Sequence, residues 1–224
     1  MSNLKSILAL SKREFKINYR NYSDILSILL FFLLGIVIFV FAIGYDKNIF
    51  NQISLGIFWS LILLSNTLSL RKFFQNDFDD NSIILFHMSG LSYEMIVLIK
   101  MITIWLCIQV PFFIIIPISF IFLNIEYNNI NIIFLSFLLG SLIITCIASI
   151  SGSMNLLNKK NFAIGSLIIM FFSIPVIIFS VSILNKSSDI VDAQINILLG
   201  IMFFFLAVTP WICSFCIKLA LQYK

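Results

Sequence analysis

Charge is scarce in this sequence. Only 11% of its 224 residues are Asp, Glu, Lys or Arg, against about 25% in a soluble domain. Hydrophobic residues make up 61% and the mean hydropathy is +1.09, so the chain belongs in a bilayer rather than in water. Within the apolar runs the deficit is almost complete. Asp24, Lys100 and Lys218 fall near run ends, and no acid or base falls at the centre of a run. Ion-coupled secondary transporters hold such groups near the midplane, so their absence argues against proton or sodium coupling through side chains. The net charge of +4 comes from basic residues dispersed between apolar runs, which is not the footprint of a nucleic-acid partner.

Reactive groups are equally sparse. His87 is the sole histidine; beside Met88 it offers a possible haem ligand pair, but one histidine at a helix end does not make a site. No nucleophile–base set, paired carboxylates, metal cluster or Walker glycine loop is present. The chain therefore has no visible means of hydrolysing ATP and no catalytic site of its own. The four cysteines, Cys107, Cys146, Cys213 and Cys216, all lie in apolar runs, which excludes a disulfide framework. Cys213 and Cys216 form a C-x-x-C without a partner histidine or second pair, so packing is the expected role. No A-x-A-like site follows the first apolar run, which is too long for a signal h-region; no cleavable signal peptide is expected.

What the sequence does have is long apolar runs. Six are read as membrane spans, at 25–43, 53–70, 95–123, 132–153, 162–184 and 197–219. At 1.5 Å per residue the first covers about 28 Å, close to the hydrocarbon thickness. The third is longer, contains Pro111 and Pro117, and is expected to enter the bilayer near Lys100, whose ammonium can snorkel to the interface. Each proline removes a backbone donor and should kink the helix. The fold class is all-α, a polytopic six-helix bundle. Residues 1–23 form a separate basic arm, with Leu4, Leu8, Phe15 and Tyr19 at helical spacing among five basic residues, as in an interfacial helix. Residues 24–224 form the transmembrane domain.

Orientation follows from the basic residues. With the N-terminus inside, twelve of the fourteen fall in inner segments, leaving only Lys47 and Lys186 in outer loops. Both termini are thus expected on the cytoplasmic side. Polar groups within the spans are few. Ser141, Thr145, Ser149 and Ser153 recur every four residues, beside Gly140, Ala148 and Gly152. This stripe suits close helix packing or a polar path. Ser65, Asn66, Thr67 and Gln109 are expected to bond across helices.

One stretch breaks the apolar pattern. Residues 71–91, between the second and third spans, hold three of the ten acids within four positions, Asp77, Asp79 and Asp80. Phe74 and Phe78 share one helical face, and Asp77 and Asp80 another. Asp80, Asn81 and Ser82 can cap a second short helix beginning near Ile83, and Gly90 can end it. Two readings stand. The stretch either presents carboxylates and rings to a soluble partner at the membrane surface, or is a solvated loop with two interfacial Phe anchors.

The run Phe74-Gln75-Asn76-Asp77-Phe78-Asp79-Asp80-Asn81-Ser82 resembles the F-x-x-D-x-x-D-G-[ST]-L-E signature of the cytochrome c maturation protein B family (CcmB, haem exporter protein B). The resemblance extends along the chain through Leu98-Ile99-Lys100 with Trp105, Leu138-Leu139-Gly140-Ser141, Ile174 to Phe179 with Pro175, and Thr209-Pro210. It implies an ABC-2-like permease bundle serving as the membrane subunit of the ABC-type cytochrome c maturation complex. It further implies a separate ATPase subunit, a haem-handling membrane subunit and, indirectly, a periplasmic haem chaperone whose loaded form is released at the cost of ATP. Haem is then handled by the complex, with no cofactor assigned to this chain. The 71–91 stretch would be the coupling element that docks on the ATPase, through Phe74, Asp77, Phe78, Asp80, Asn81 and Ser82. Three positions depart from the signature: Asn81 replaces its glycine, and Ile83-Ile84 replace Leu-Glu. Asn tolerates left-handed geometry, whereas the missing Glu removes a contact. The expected location is a bacterial inner membrane, or a mitochondrial inner membrane if the chain is organelle-encoded. The same architecture would also serve an ABC-2-type exporter of another substrate, or a non-transporting scaffold for the ATPase.

Overall fold

The computed structural model describes residues 2–44, 47–68, 70–125, 130–157, 163–184 and 188–223. Among these, all regular structure is helical: α1 (Ser2–Arg20), α2 (Tyr22–Ile43), α3 (Lys47–Thr67), α4 (Leu70–Asp79), α5 (Ser82–Met88), α6 (Tyr93–Phe122), α7 (Ile130–Asn155), α8 (Ala163–Leu184) and α9 (Ser188–Gln222). Lys159, Lys160, Lys186 and Lys224, used above to orient the chain, lie outside the described residues, as do the side chains of Lys47, Arg71 and Lys72.

Among the described residues, five helices are long and apolar enough to cross a membrane: α2, α6 and the greater parts of α7, α8 and α9. The remaining run differs from expectation. Among the described residues the apolar part of α3 is Ile53–Thr67, and the helix stops three residues before the predicted end at 70. Its last turn explains the stop. Ser65, Asn66 and Thr67 all donate back to carbonyls of the same helix, at Leu61 (2.7 Å), Ile62 (2.8 Å) and Leu64 (2.6 Å). The Leu68 amide then bonds to the Ser65 carbonyl in a tight turn. Such side chains compete with the helix for its own backbone groups. A second difference is at α9, which begins at Ser188 rather than 197. Val191 is buried there, and Gln194 donates to Ser182 of α8 at 2.9 Å. The Gln194 amide nitrogen thus finds a partner on a neighbouring helix, and the helix extends through this polar stretch.

At the centre stands α7, which packs against α3, α4, α6, α8 and α9. Its apolar stretch is 72% buried, against 17% for α2 at the periphery. The serine stripe explains why it can be central. Ser141, Thr145, Ser149 and Ser153 are all buried, and each hydroxyl donates to a carbonyl three or four residues back. Trp105 of α6 donates to Ser141 at 3.1 Å, and Cys213 of α9 sits 3.6 Å from Ser149. The stripe is thus a set of satisfied, small contact points. Gly140 extends it: a Cβ there would collide with the Trp59 indole, which lies against the bare backbone. Since lipid tails are as apolar as the side chains, close contact of this kind is what holds such a bundle together.

Aromatic rings fill the other half of the core. Phe32 of α2 meets Phe58 of α3 and Phe112 of α6 edge-on, at 5.9 and 5.1 Å. Phe58 also meets Phe120 at 5.2 Å, and Phe113 meets Phe137 of α7 at 4.8 Å. Edge-to-face pairs at these distances add to simple contact. One cross-helix polar bond lies among them: Gln109 donates to Asn66 at 2.7 Å. It is a cross-helix bond of the kind expected for Asn66 and Gln109. Helix α6 is continuous through both Pro111 and Pro117.

Candidate functional site

The acidic stretch folds as two short helices. In α4, Phe73, Phe74, Asp77 and Phe78 occupy the positions i, i+1, i+4 and i+5, one face of a helix, and all four are buried. This face lies against α7 and the base of α6. The chain then turns through Asn81, whose backbone is left-handed (φ 58°, ψ 13°), into α5. That conformation favours glycine, with Asn the usual substitute. Helix α5 closes on a Schellman turn: Gly90 has φ 89°, its amide bonds to the His87 carbonyl, and the Leu91 amide bonds to that of Phe86. Leu91 packs with Leu10, Ile96 and Phe86 in a small second core. Ser92 next caps α6, its hydroxyl accepting from the Met95 amide.

Below α4 lies a largely buried ionic quartet that joins three helices, with Glu14, Asp77 and Lys100 buried and Arg13 half-buried. Lys100 of α6 is 1% exposed. Its ammonium pairs with Asp77 of α4 and, at 3.1 Å, with Glu14 of α1. Arg13 of α1 completes the ring, at 2.8 Å from Asp77 and 2.6 Å from Glu14. Its guanidinium also lies 4.8 Å from the centroid of the Phe86 ring of α5. Two cations and two anions cancel, which is the condition under which charge can be buried. Burial alone would raise the Asp77 carboxyl. The Lys100 ammonium, by charge and by hydrogen bond, and then Arg13 overrule it and hold the group below its usual value. Burial alone would lower Arg13, but its bond to Asp77 and the charges of Asp77 and Glu14 raise it.

This geometry changes several expectations. Phe74 and Phe78 are neither partner-facing nor anchored in the interface; they are core residues. Asp77 points inward and is neutralised. Lys100 does not snorkel, because two carboxylates meet it inside the protein. Helix α1 is packed onto the bundle, since Leu10 and Glu14 fix it to α6. Glu14 was not singled out from the sequence. Its one visible signal is that it is the sole acid in a basic arm, and its partner Lys100 lies 86 positions away.

The outward face of the element is different. Asn76, Asp79, Asp80 and Asn81 are exposed and Ser82 is half-buried, followed by exposed Ile84, Leu85 and Met88. Gln75 donates to Asp79 at 2.9 Å. The result is an acidic patch continuous with an apolar one on a two-helix ledge. His87 stacks on Tyr93 at 4.2 Å, and its Nδ1 lies 3.0 Å from the Leu91 carbonyl. Lys218 of α9 reaches the same corner, 3.2 Å from Glu94. Among the described residues, no group of three or more His, Cys, Asp or Glu side chains is placed to hold a metal ion.

Comparison with known proteins agrees along nearly the whole chain. The profile of the CcmB protein family matches residues 5–222. Heme exporter protein B of Haemophilus influenzae is 31% identical over 217 residues, covering 96% of this chain and 98% of that one. Heme exporter protein B of Pseudomonas aeruginosa is 27% identical over 187 residues, 84% of this chain and 83% of that one. An uncharacterized protein of Rickettsia prowazekii is 30% identical over 216 residues, 96% and 97% of the two chains. With its multiple apolar helices and this full-length match, the chain is a multi-pass membrane protein that belongs to the CcmB family.

Proposed function

We propose that the chain is the membrane subunit of an ABC-type cytochrome c maturation complex, without a catalytic site of its own. A separate ATPase subunit hydrolyses ATP, and the force enters through the α4–α5 ledge. In this reading the bundle has six passes, α3 being the sixth, with both termini and the ledge on the cytoplasmic or matrix side. Residues 1–23 are an interfacial helix, and 24–224 the membrane domain with its coupling element at 71–91. Haem is delivered by the complex, together with a haem-handling membrane subunit and a periplasmic chaperone.

The observation that carries this reading is the two-sidedness of the ledge. Its inner face is bolted to α1 and α6 by the quartet, and its three buried Phe rings lie in the core of a helix packed on α7, so a push on its outer face reaches the bundle. Its outer face is acidic and apolar and is suited to a soluble partner. Of the motif positions, Asp80, Asn81 and Ser82 lie toward that surface and make the contact with the ATPase. Phe74, Asp77 and Phe78 hold the ledge in place.

The test is to change Asp79 and Asp80 together to Ala, then to measure co-purification of the ATPase and the level of holocytochrome c. Both should fall while the chain remains folded. Normal holocytochrome c in a strain lacking the chain would instead favour an ABC-2-type exporter of another substrate.

A further inference from the structure

Where α1 meets α2, a groove of about 710 Å³ opens against the flank of α6. That is within the range of about 300–1,000 Å³ typical of small-molecule sites. Its walls are fixed. Helix α1 is tied to α6 by Glu14 and Lys100, and α2 is tied to α6 by the Phe32–Phe112 ring pair. The floor and sides are apolar, with Leu26 of α2 facing Leu106 and Val110 of α6, and Lys16, Tyr19 and Tyr22 stand at the α1 end. Lys12, Lys16 and Arg20 follow one another at i+4 spacing, so a basic stripe borders the aromatic one. Among the described residues no acid lines the groove; the nearest along α2 is Asp24, in its first turn.

We infer that this groove is a binding site for an anionic phospholipid of the leaflet on which α1 lies. One acyl chain lies between Leu26 and Val110, and the headgroup phosphate sits at Lys16. The fit is of two kinds. The apolar trough runs along membrane helices, where an acyl chain belongs. With α1 interfacial, as in the proposed function on which this inference rests, the cationic end is at headgroup level, where Tyr and Lys side chains place their polar tips. Each cation at such a surface favours anionic lipid about fivefold. A lipid seated there also buttresses α1, the helix that supplies half of the buried quartet.

Native mass spectrometry of the full chain, purified in mild detergent and titrated with phosphatidylglycerol or phosphatidylcholine, tests the site. The wild type should retain one phosphatidylglycerol in preference to phosphatidylcholine. Lys16→Glu should weaken that retention about thirtyfold, as expected for a change of two charge units at such a surface. Val110→Trp, which fills the trough, should abolish it. Lys5→Gln, roughly 16 Å away along α1, should leave it unchanged. Equal retention of the two lipids by the wild type would overturn the proposal without reference to any variant. So would unchanged retention in both groove variants, or a haem Soret band that those variants remove.

Discussion

The two faces of the α4–α5 ledge come from the same acidic run, yet they do opposite work. On the inner face Asp77 is enclosed by Lys100 and Arg13, and Phe74 and Phe78 are core. On the outer face, two and three residues further on, Asp79 and Asp80 are exposed beside Ile84, Leu85 and Met88. A carboxylate's neighbours, more than its place in a motif, decide whether it is structural or available to a partner. The inner face makes the ledge rigid with respect to the bundle, and the outer face makes it addressable.

The largest effect that should separate the faces is at Lys100. Lys100→Met leaves three charges of net negative sign in a buried site, and should destabilise the chain by about 3–5 kcal/mol, read by thermal denaturation in mild detergent. Adding Glu14→Gln restores neutrality and should recover at least half of the loss. If the double variant were no better than the single one, the quartet would not be acting as a charge-balanced unit.

Acid should produce a graded version of the same disruption. The Asp77 carboxyl is held below its ordinary value of 3.8. A depressed carboxyl contributes stability that is present above the unfolded value and lost as pH falls through the folded one. Denaturation midpoints should therefore drop below about pH 4, and Asp77→Asn should flatten that drop. For Arg13 the raised value lies beyond any working pH, so it adds no pH dependence there.

Smaller still is the turn between the faces. Asn81→Val must place a β-branched residue in left-handed backbone, at a cost of about 1–2 kcal/mol. Asn81→Gly should leave stability unchanged or raised. Equal stability for both variants would mean that the turn rearranges rather than persists.

At the outer face the expected stability effect nearly vanishes. Asp79→Ala with Asp80→Ala should shift stability by no more than about 0.5 kcal/mol, as for exposed sites generally, while ATPase co-purification is lost. Asp77→Ala should also lose the ATPase, but with a lowered melting temperature. A comparison of binding against melting across these variants separates docking from support.

Much of this was legible in the chain itself. Membrane residence, the positions of α2, α6, α7 and α8 and the interruption at 71–91 follow from apolar run length and from the sparse charges, because a bilayer forces backbone bonds to close within each helix. The turn at Asn81 and the end at Gly90 follow from local conformational preference. The facing of side chains was not legible. Phe74, Asp77 and Phe78 look like surface groups in a polar stretch, and Lys100 looks like a snorkelling lysine, until α1 folds back with Arg13 and Glu14. Sequence periodicity says which residues share a helix face. Which way that face turns depends on partners tens of residues distant, and only the packed bundle brings those charges together.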